Sequence, residues 1–230
     1  MVKNVSSLNI TNHPNFLLKD LKRIPKLDFR YATEESRANT IAVLGSSSTD
    51  ADILKYMDLC SEVTGELVKR NYNILTGNGA YGIMGAAYDA AAANSIRDIQ
   101  TKKPIQNLVI LRTPFWGDER TDCIPIGKAT SENLRIDSFS KTADTFLCFD
   151  GGPATVQEVT SLIAKNHYGE FNPVKNVILV GREAFMGLIN HYQRLFGLGR
   201  TSKCPEGNLF SVAETKDEIL GIIRKFSKSV

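Results

Sequence analysis

The chain is poor in the residues that most often announce chemistry. Its three histidines, His13, His167 and His191, lie far apart and in no ligand spacing, so no metal site is expected. Its four cysteines, Cys60, Cys123, Cys148 and Cys204, form no C-x-x-C pair. Cys60 and Cys148 fall inside apolar periodic segments, where a thiol packs as a small hydrophobe, and a reduced, cytoplasmic setting is the simplest expectation. No window approaches 18 apolar residues, and Met1–Ile10 carries no apolar stretch of signal-peptide length, which argues against a membrane. Charge of one sign is also scarce. Against 25 acidic residues stand 28 basic ones, scattered, giving a formal net charge of +3, so no nucleic-acid polymer is expected as a partner. No Gly-Lys-Ser or Gly-Lys-Thr triplet occurs, which excludes a Walker phosphate loop.

What the chain does have is length, a core and a regular alternation. Its 230 residues are 42% hydrophobic, enough for one large α/β domain. Residues 1–37 mix Asn, Pro and charge without clean periodicity and read as an N-terminal arm, partly helical. From 38 to 230 short apolar runs alternate with amphipathic ones. Strands are predicted at Thr40–Leu44, Tyr72–Leu75, Asn107–Leu111, Thr145–Phe149, Asn176–Val180 and Asn208–Val212. Helices are predicted at Asp52–Arg70, Ile83–Asn94, Ser131–Thr142, Val156–Tyr168, Arg182–Phe196 and Thr215–Phe226, and residues 112–130 read as a long loop. This pattern predicts a Rossmann-like, doubly wound, mainly parallel sheet of about six to seven strands with helices on both faces.

In such a sheet ligands gather beyond the carboxyl ends of the strands. Three turns fall there: Gly45–Ser48, Gly77–Gly82 and Gly151–Thr155. The first lacks the further glycines of a dinucleotide fingerprint. The second, Gly77-Asn78-Gly79-Ala80-Tyr81-Gly82, fits G-x-G-x-x-G but belongs to the second strand–helix unit, and Leu111 is followed by Arg112 rather than by a ribose-binding acid. Nicotinamide chemistry is therefore not expected. The third turn is the most informative. It puts a glycine pair between a strand and a helix, then a hydroxyl, Thr155, and a carboxylate, Glu158. Bare N–H groups at a helix start suit a phosphate. The same four residues, Thr155-Val-Gln-Glu158, also read as a capping box that satisfies the helix end and nothing more.

The spaced combination resembles the Lonely Guy (LOG) cytokinin-activating phosphoribohydrolases and their bacterial relatives, which often carry the label lysine decarboxylase. Gly151, Gly152, Thr155 and Glu158 match the signature P-G-G-x-G-T-x-x-E. Gly77 to Gly85, with Asn78, Gly79, Gly82 and Met84, matches the G-G-G-x-x-G-[LI]-M-G turn. Arg135 matches the arginine on the helix before the signature strand, and Gly45-Ser46 closes a similar first strand. The likeness runs over roughly residues 38–226. Asp150 stands for the signature proline, Ala154 for its third glycine, and Ile136 for the basic residue after the arginine, and these positions depart from it. A carboxylate about 4 Å from a phosphate costs on the order of 4 kcal/mol at an effective dielectric near 20, unless it points away or takes a ribose hydroxyl.

The resemblance implies hydrolysis of the N-glycosidic bond of a nucleoside 5′-monophosphate, AMP or a modified AMP, to free base and ribose 5-phosphate. It implies Glu158 and Arg135 as catalytic residues, Gly45, Ser46, Gly77, Asn78, Gly79, Gly82, Met84, Asp150, Gly151, Gly152 and Thr155 as nucleotide-binding, no cofactor, and a homodimer or higher homo-oligomer. The alternative is a non-catalytic nucleotide or molybdenum-cofactor carrier of the same fold, which these departures favour. Tyr81 and Trp116 could stack on a base or anchor their loops. No lysine stands in a recognisable setting for a pyridoxal Schiff base, so lysine decarboxylation is not expected.

Overall fold

The computed structural model describes residues 33–77, 79–95, 108–112, 124–128, 132–171, 173–202 and 205–227, with the backbone alone at 108–112, 124–128 and 132–134. Residues 1–32 of the arm predicted at 1–37, Asn78, Trp116, Thr130 and Ser131 lie outside these residues.

A short helix, α1 (Glu34–Ala38), capped by the Thr33 hydroxyl, leads into strand β1 (Thr40–Leu44). The order then runs α2 (Ala51–Lys69), β2 (Asn73–Thr76), α3 (Gly82–Asn94), β3 (Leu108–Arg112), β4 (Ile124–Lys128), α4 (Glu132–Thr142), β5 (Thr145–Cys148), α5 (Pro153–Tyr168), β6 (Asn176–Val180), α6 (Met186–Gly197), a helical turn at Pro205–Asn208, β7 (Ser211–Ala213) and α7 (Lys216–Ser227). Among the described residues the seven strands are all parallel, in the order β4-β3-β2-β1-β5-β6-β7. The doubly wound, parallel architecture is the one that the alternation predicts. The chain winds outward from β1 in one direction, then returns to pair β5 on the other side of β1. The reversal makes a crevice at the β1/β5 boundary, beyond the strand ends.

Strands buried on both faces still alternate, because successive side chains point to opposite sides. Ile41, Val43, Leu147, Phe149, Ile178 and Val180 pack beneath α2, α3 and α7, with Ile53, Cys60, Val63, Leu67, Ile83, Ile219 and Ile223. Ala42, Leu44, Phe146, Cys148, Val177 and Leu179 face α4, α5 and α6, with Phe139, Val159, Leu162, Ile163 and Ile189.

At four places the structure differs from the sequence reading by more than one residue. The predicted loop 112–130 contains β4, which has Pro125 and Gly127 within it. It lies at the sheet edge, where proline is tolerated, and its register against β3 shifts between Ile110 and Leu111. The helix predicted from Arg182 starts at Met186. The last strand is Ser211–Ala213, because a turn with Gly207 at φ 92° occupies part of the predicted run. Helix α5 begins three residues earlier than predicted, with Gly152 as its N-cap and Pro153 in its first turn.

Candidate functional site

The start of α5 decides between the two readings of Thr155 and Glu158. Gly152 is the N-cap and no side chain caps the helix. Proline suits this first turn, since it lacks an N–H that would otherwise go unpaired, and its φ is already helical. Thr155 is therefore inside the helix rather than at its cap, and the capping box is not formed. Thr155 and Glu158 are three apart on one helical face. Both are buried, at 4% and 2% exposure.

Glu158 meets Arg135 from α4: Oε1 lies 2.6 Å from the Arg135 Nη2. Arg135 is 8% exposed, and its guanidinium carbon lies 5.6 Å from the centre of the Phe139 ring, one helical turn on. The guanidinium thus has a carboxylate at its edge and an aromatic ring beneath, a combination that fixes its plane. Its other neighbour is the turn after β2. A Cβ placed on Gly77 would lie 3.0 Å from Arg135 Nη2 and 3.2 Å from the Met84 sulfur. Met84, half-buried, also covers Gly79, where a Cβ would fall 2.5 Å from its Cε. Phe139 and its role are the part that the sequence reading missed. The i, i+4 spacing of Arg135 and Phe139 on one helix carried the signal.

The turn after β1 joins the other two. Ser46 N–H donates to the Asp150 carbonyl at 2.9 Å, and the Ser46 carbonyl accepts from Ile83 N–H at 2.8 Å. The Ser46 hydroxyl oxygen accepts from Ser48 N–H at 2.9 Å. Gly45 lies against Ile83, and Gly82, at φ 60°, brings α3 so close that a Cβ there would fall 2.3 Å from the Ser46 carbonyl oxygen. Gly151 is equally confined. A Cβ on it would lie 2.4 Å from the Thr155 Oγ1 and 2.9 Å from the Ser46 nitrogen, whereas a Cβ on Gly152 meets nothing within 4 Å. Asp150 does not point away. Its carboxylate Oδ1 accepts from Gly151 N–H at 2.7 Å, on the amide that an anion in this turn would use.

Of the site residues named from sequence, Arg135, Glu158, Gly77, Gly79 and Met84 thus form one contact group, and Gly45, Ser46, Gly82, Asp150, Gly151 and Thr155 a second, joined through Ser46, Ile83 and α5. Gly152 is exposed at the helix start. Tyr81 is 57% exposed at the N-cap of α3.

Charge in the group acts on nearby residues. Burial, and then the Glu158 carboxylate, push the Cys148 thiol well above its ordinary range. Burial raises Cys60 to about 12 despite its contact with Thr64. Both are inert thiols packed in the core. Among the described residues no group of His, Cys, Asp and Glu is arranged to hold a metal ion, and no helix is long and apolar enough to cross a membrane. A cavity of about 480 Å³ lined by Lys175, Asn176, Asn208, Ser211 and Lys225, among others, lies at the opposite edge, where β6 and β7 begin, and takes no part in the group.

No protein-family model matches the sequence, and no curated protein matches it. Solved structures do share its fold. The Moco carrier protein from Chlamydomonas reinhardtii superposes with a TM-score of 0.56 at 15% identity, covering 83% of this chain and 98% of that one. The molybdenum cofactor binding protein from the phototrophic bacterium Rippkaea orientalis gives 0.56 at 15% identity, over 81% and 96%. The structural-genomics target TM1055 gives 0.54 at 14% identity, over 81% and 98%. The chain is thus a Rossmann-like α/β protein of the doubly wound class. Within that class its fold is the one shared by these three proteins.

Proposed function

We propose that the protein cleaves the N-glycosidic bond of a nucleoside 5′-monophosphate at the β1/β5 crevice. The observation that carries this reading is the Arg135–Glu158 pair, held beside Gly77 and on the same helical face as Thr155. As the base departs, positive charge develops on the ribose ring, and Glu158 is the carboxylate placed to balance it or to activate water. Water adds to C1′, the C1′–N bond breaks, and the base leaves with a proton. Arg135 orients the carboxylate, and Gly151, Gly152 and Thr155 receive the phosphate at the start of α5. A homo-oligomer belongs to the proposal.

A second reading is favoured by one observation. Glu158 is only 2% exposed, so little water reaches the carboxylate that would have to activate it, which suits a site that holds a ligand without turnover. Two of the proteins of this fold are named for the molybdenum cofactor. A phosphate-bearing cofactor would meet the same turn, where the Asp150 carboxylate already holds the Gly151 amide.

The deciding experiment is incubation of the purified protein with AMP and the other 5′-monophosphates, following free base and ribose 5-phosphate. The hydrolytic reading expects release, and a loss of at least about a hundredfold in Glu158→Gln. Saturable binding without any base release selects the carrier.

A further inference from the structure

Asp150 stands where β5 leaves the sheet, and its backbone is fixed on both sides. Its carbonyl accepts from Ser46 N–H, and Phe149 N–H before it donates to the Leu44 carbonyl at 2.9 Å. Gly151 after it is wedged between Thr155 and the Ser46 amide. The Gly151 N–H therefore has little freedom to turn elsewhere. That N–H is a single donor, and the Asp150 carboxylate already accepts from it at 2.7 Å. A phosphate oxygen seeking the same donor meets a group of its own sign in its own place.

Two further carboxylates and a lysine act on the same tyrosine as Asp150. Tyr56 packs against Gly181 at the end of β6, where a Cβ on the glycine would lie 2.4 Å from the Tyr56 hydroxyl oxygen. Burial pushes that hydroxyl up and Lys55 pulls it down, while Asp150, Glu214 and Glu183 each push it further up. Tyr56 thus feels Asp150 together with two further carboxylates, and Lys55 in the opposite sense more strongly than any one of them. The nearby Arg135 is matched by Glu158.

We infer that Asp150 is the charge-specificity residue of this cradle: its carboxylate is a built-in competitor for the Gly151 amide, and a ligand's anionic group binds there only by displacing it. The inference rests on the ribosyl-phosphate reading above and deepens it. The consequence is a site in which the sugar carries most of the affinity and the phosphate adds little. Replacing the competitor with a neutral group returns the amide to the anion.

The test is titration of the protein with ribose 5-phosphate and with ribose, followed by ligand-observed NMR, for the wild type, Asp150→Asn and Asp150→Ala. Ribose 5-phosphate is expected to bind the wild type within about tenfold of ribose, and to bind Asp150→Asn at least about tenfold more tightly than the wild type, with ribose changed by less than about twofold. The alanine variant serves if the asparagine variant fails to fold, and the wild-type ratio needs no variant. The inference falls if neither variant tightens ribose 5-phosphate, or if the wild type prefers it to ribose by more than about a hundredfold. Base release is followed in parallel. The expected binding pattern without base release leaves the inference standing and removes the hydrolytic reading. Base release with no effect of Asp150 does the reverse.

Discussion

Two adjacent glycines in the turn after β5 do different work. Gly151 leaves no room for a methyl group, which would press on the Thr155 hydroxyl and the Ser46 amide, while Gly152 faces open space at a φ of −77°. Gly151→Ala is expected to destabilise the fold by about 1–3 kcal/mol, whereas Gly152→Ala costs about 1 kcal/mol or less, the loss of a modest cap. Parallel thermal melts decide it, and equal melting temperatures for the two variants contradict the packing described. The buried Arg135–Glu158 pair makes a second claim at this scale. Removing one partner strands the other charge, so Arg135→Ala should lose about 3–5 kcal/mol. Denaturant unfolding measures this. A loss below about 1 kcal/mol would mean that the pair is solvated in solution.

At the scale of the element, α5 sets what its side chains are for. Because Gly152 and Pro153 start the helix, Thr155 and Glu158 are released from capping and turn together toward the sheet. The sequence shows the four-residue spacing of a capping box but not where the helix begins, and one turn of difference reverses the meaning of both residues. Replacing Gly152 with Ser or Asn should raise stability by a few tenths of a kcal/mol by supplying the missing cap, about 0.3 at most. Thr155→Val should cost no helix-capping energy and should act on ligand binding instead. If Thr155→Val destabilises α5, as amide exchange of its first turn would show, the N-cap has been placed wrongly. The far end of α5 is tied more firmly. Fully buried Asn166 donates to the carbonyls of Lys175 and Leu209 and accepts from Lys175 N–H, so α5 holds the entry to β6.

For the whole molecule, acid is the informative perturbation. Hydrogen bonds from the Ser48 side chain and the Ile53 backbone hold Asp50 below the ordinary carboxylate range. Glu218 is lowered by the backbone amides of Glu214 and Thr215, and Glu66 by Arg70. A carboxyl whose folded value is depressed binds its proton more weakly in the folded chain than in the unfolded one. Its contribution is present in full above the unfolded value and is lost as pH falls through the folded one. Stability should therefore decline below about pH 4, and the decline should flatten in the Asp50→Asn, Glu218→Gln double variant. Melting temperatures between neutral pH and about pH 3 provide the check. Lys175, lowered by burial against the pull of Asp144, acts in the alkaline range. There the unfolded chain holds the proton more readily, so its contribution improves as pH rises toward the ordinary lysine value.

The sequence by itself determined the alternation of strand and helix, the parallel sheet, and the three glycine turns at its carboxyl edge, because periodicity and turn chemistry are local properties. It did not show β4, whose proline and glycine read as loop until an edge position makes them harmless. Nor did it show where α5 begins. Only the tertiary structure decided that Arg135 and Glu158 meet, that Phe139 lies under the guanidinium, and that Asp150 takes the Gly151 amide. Those facts depend on which strands become neighbours and on how closely Gly77, Gly82 and Gly151 let their loops approach, and contacts between segments distant in the chain leave no periodic trace in it.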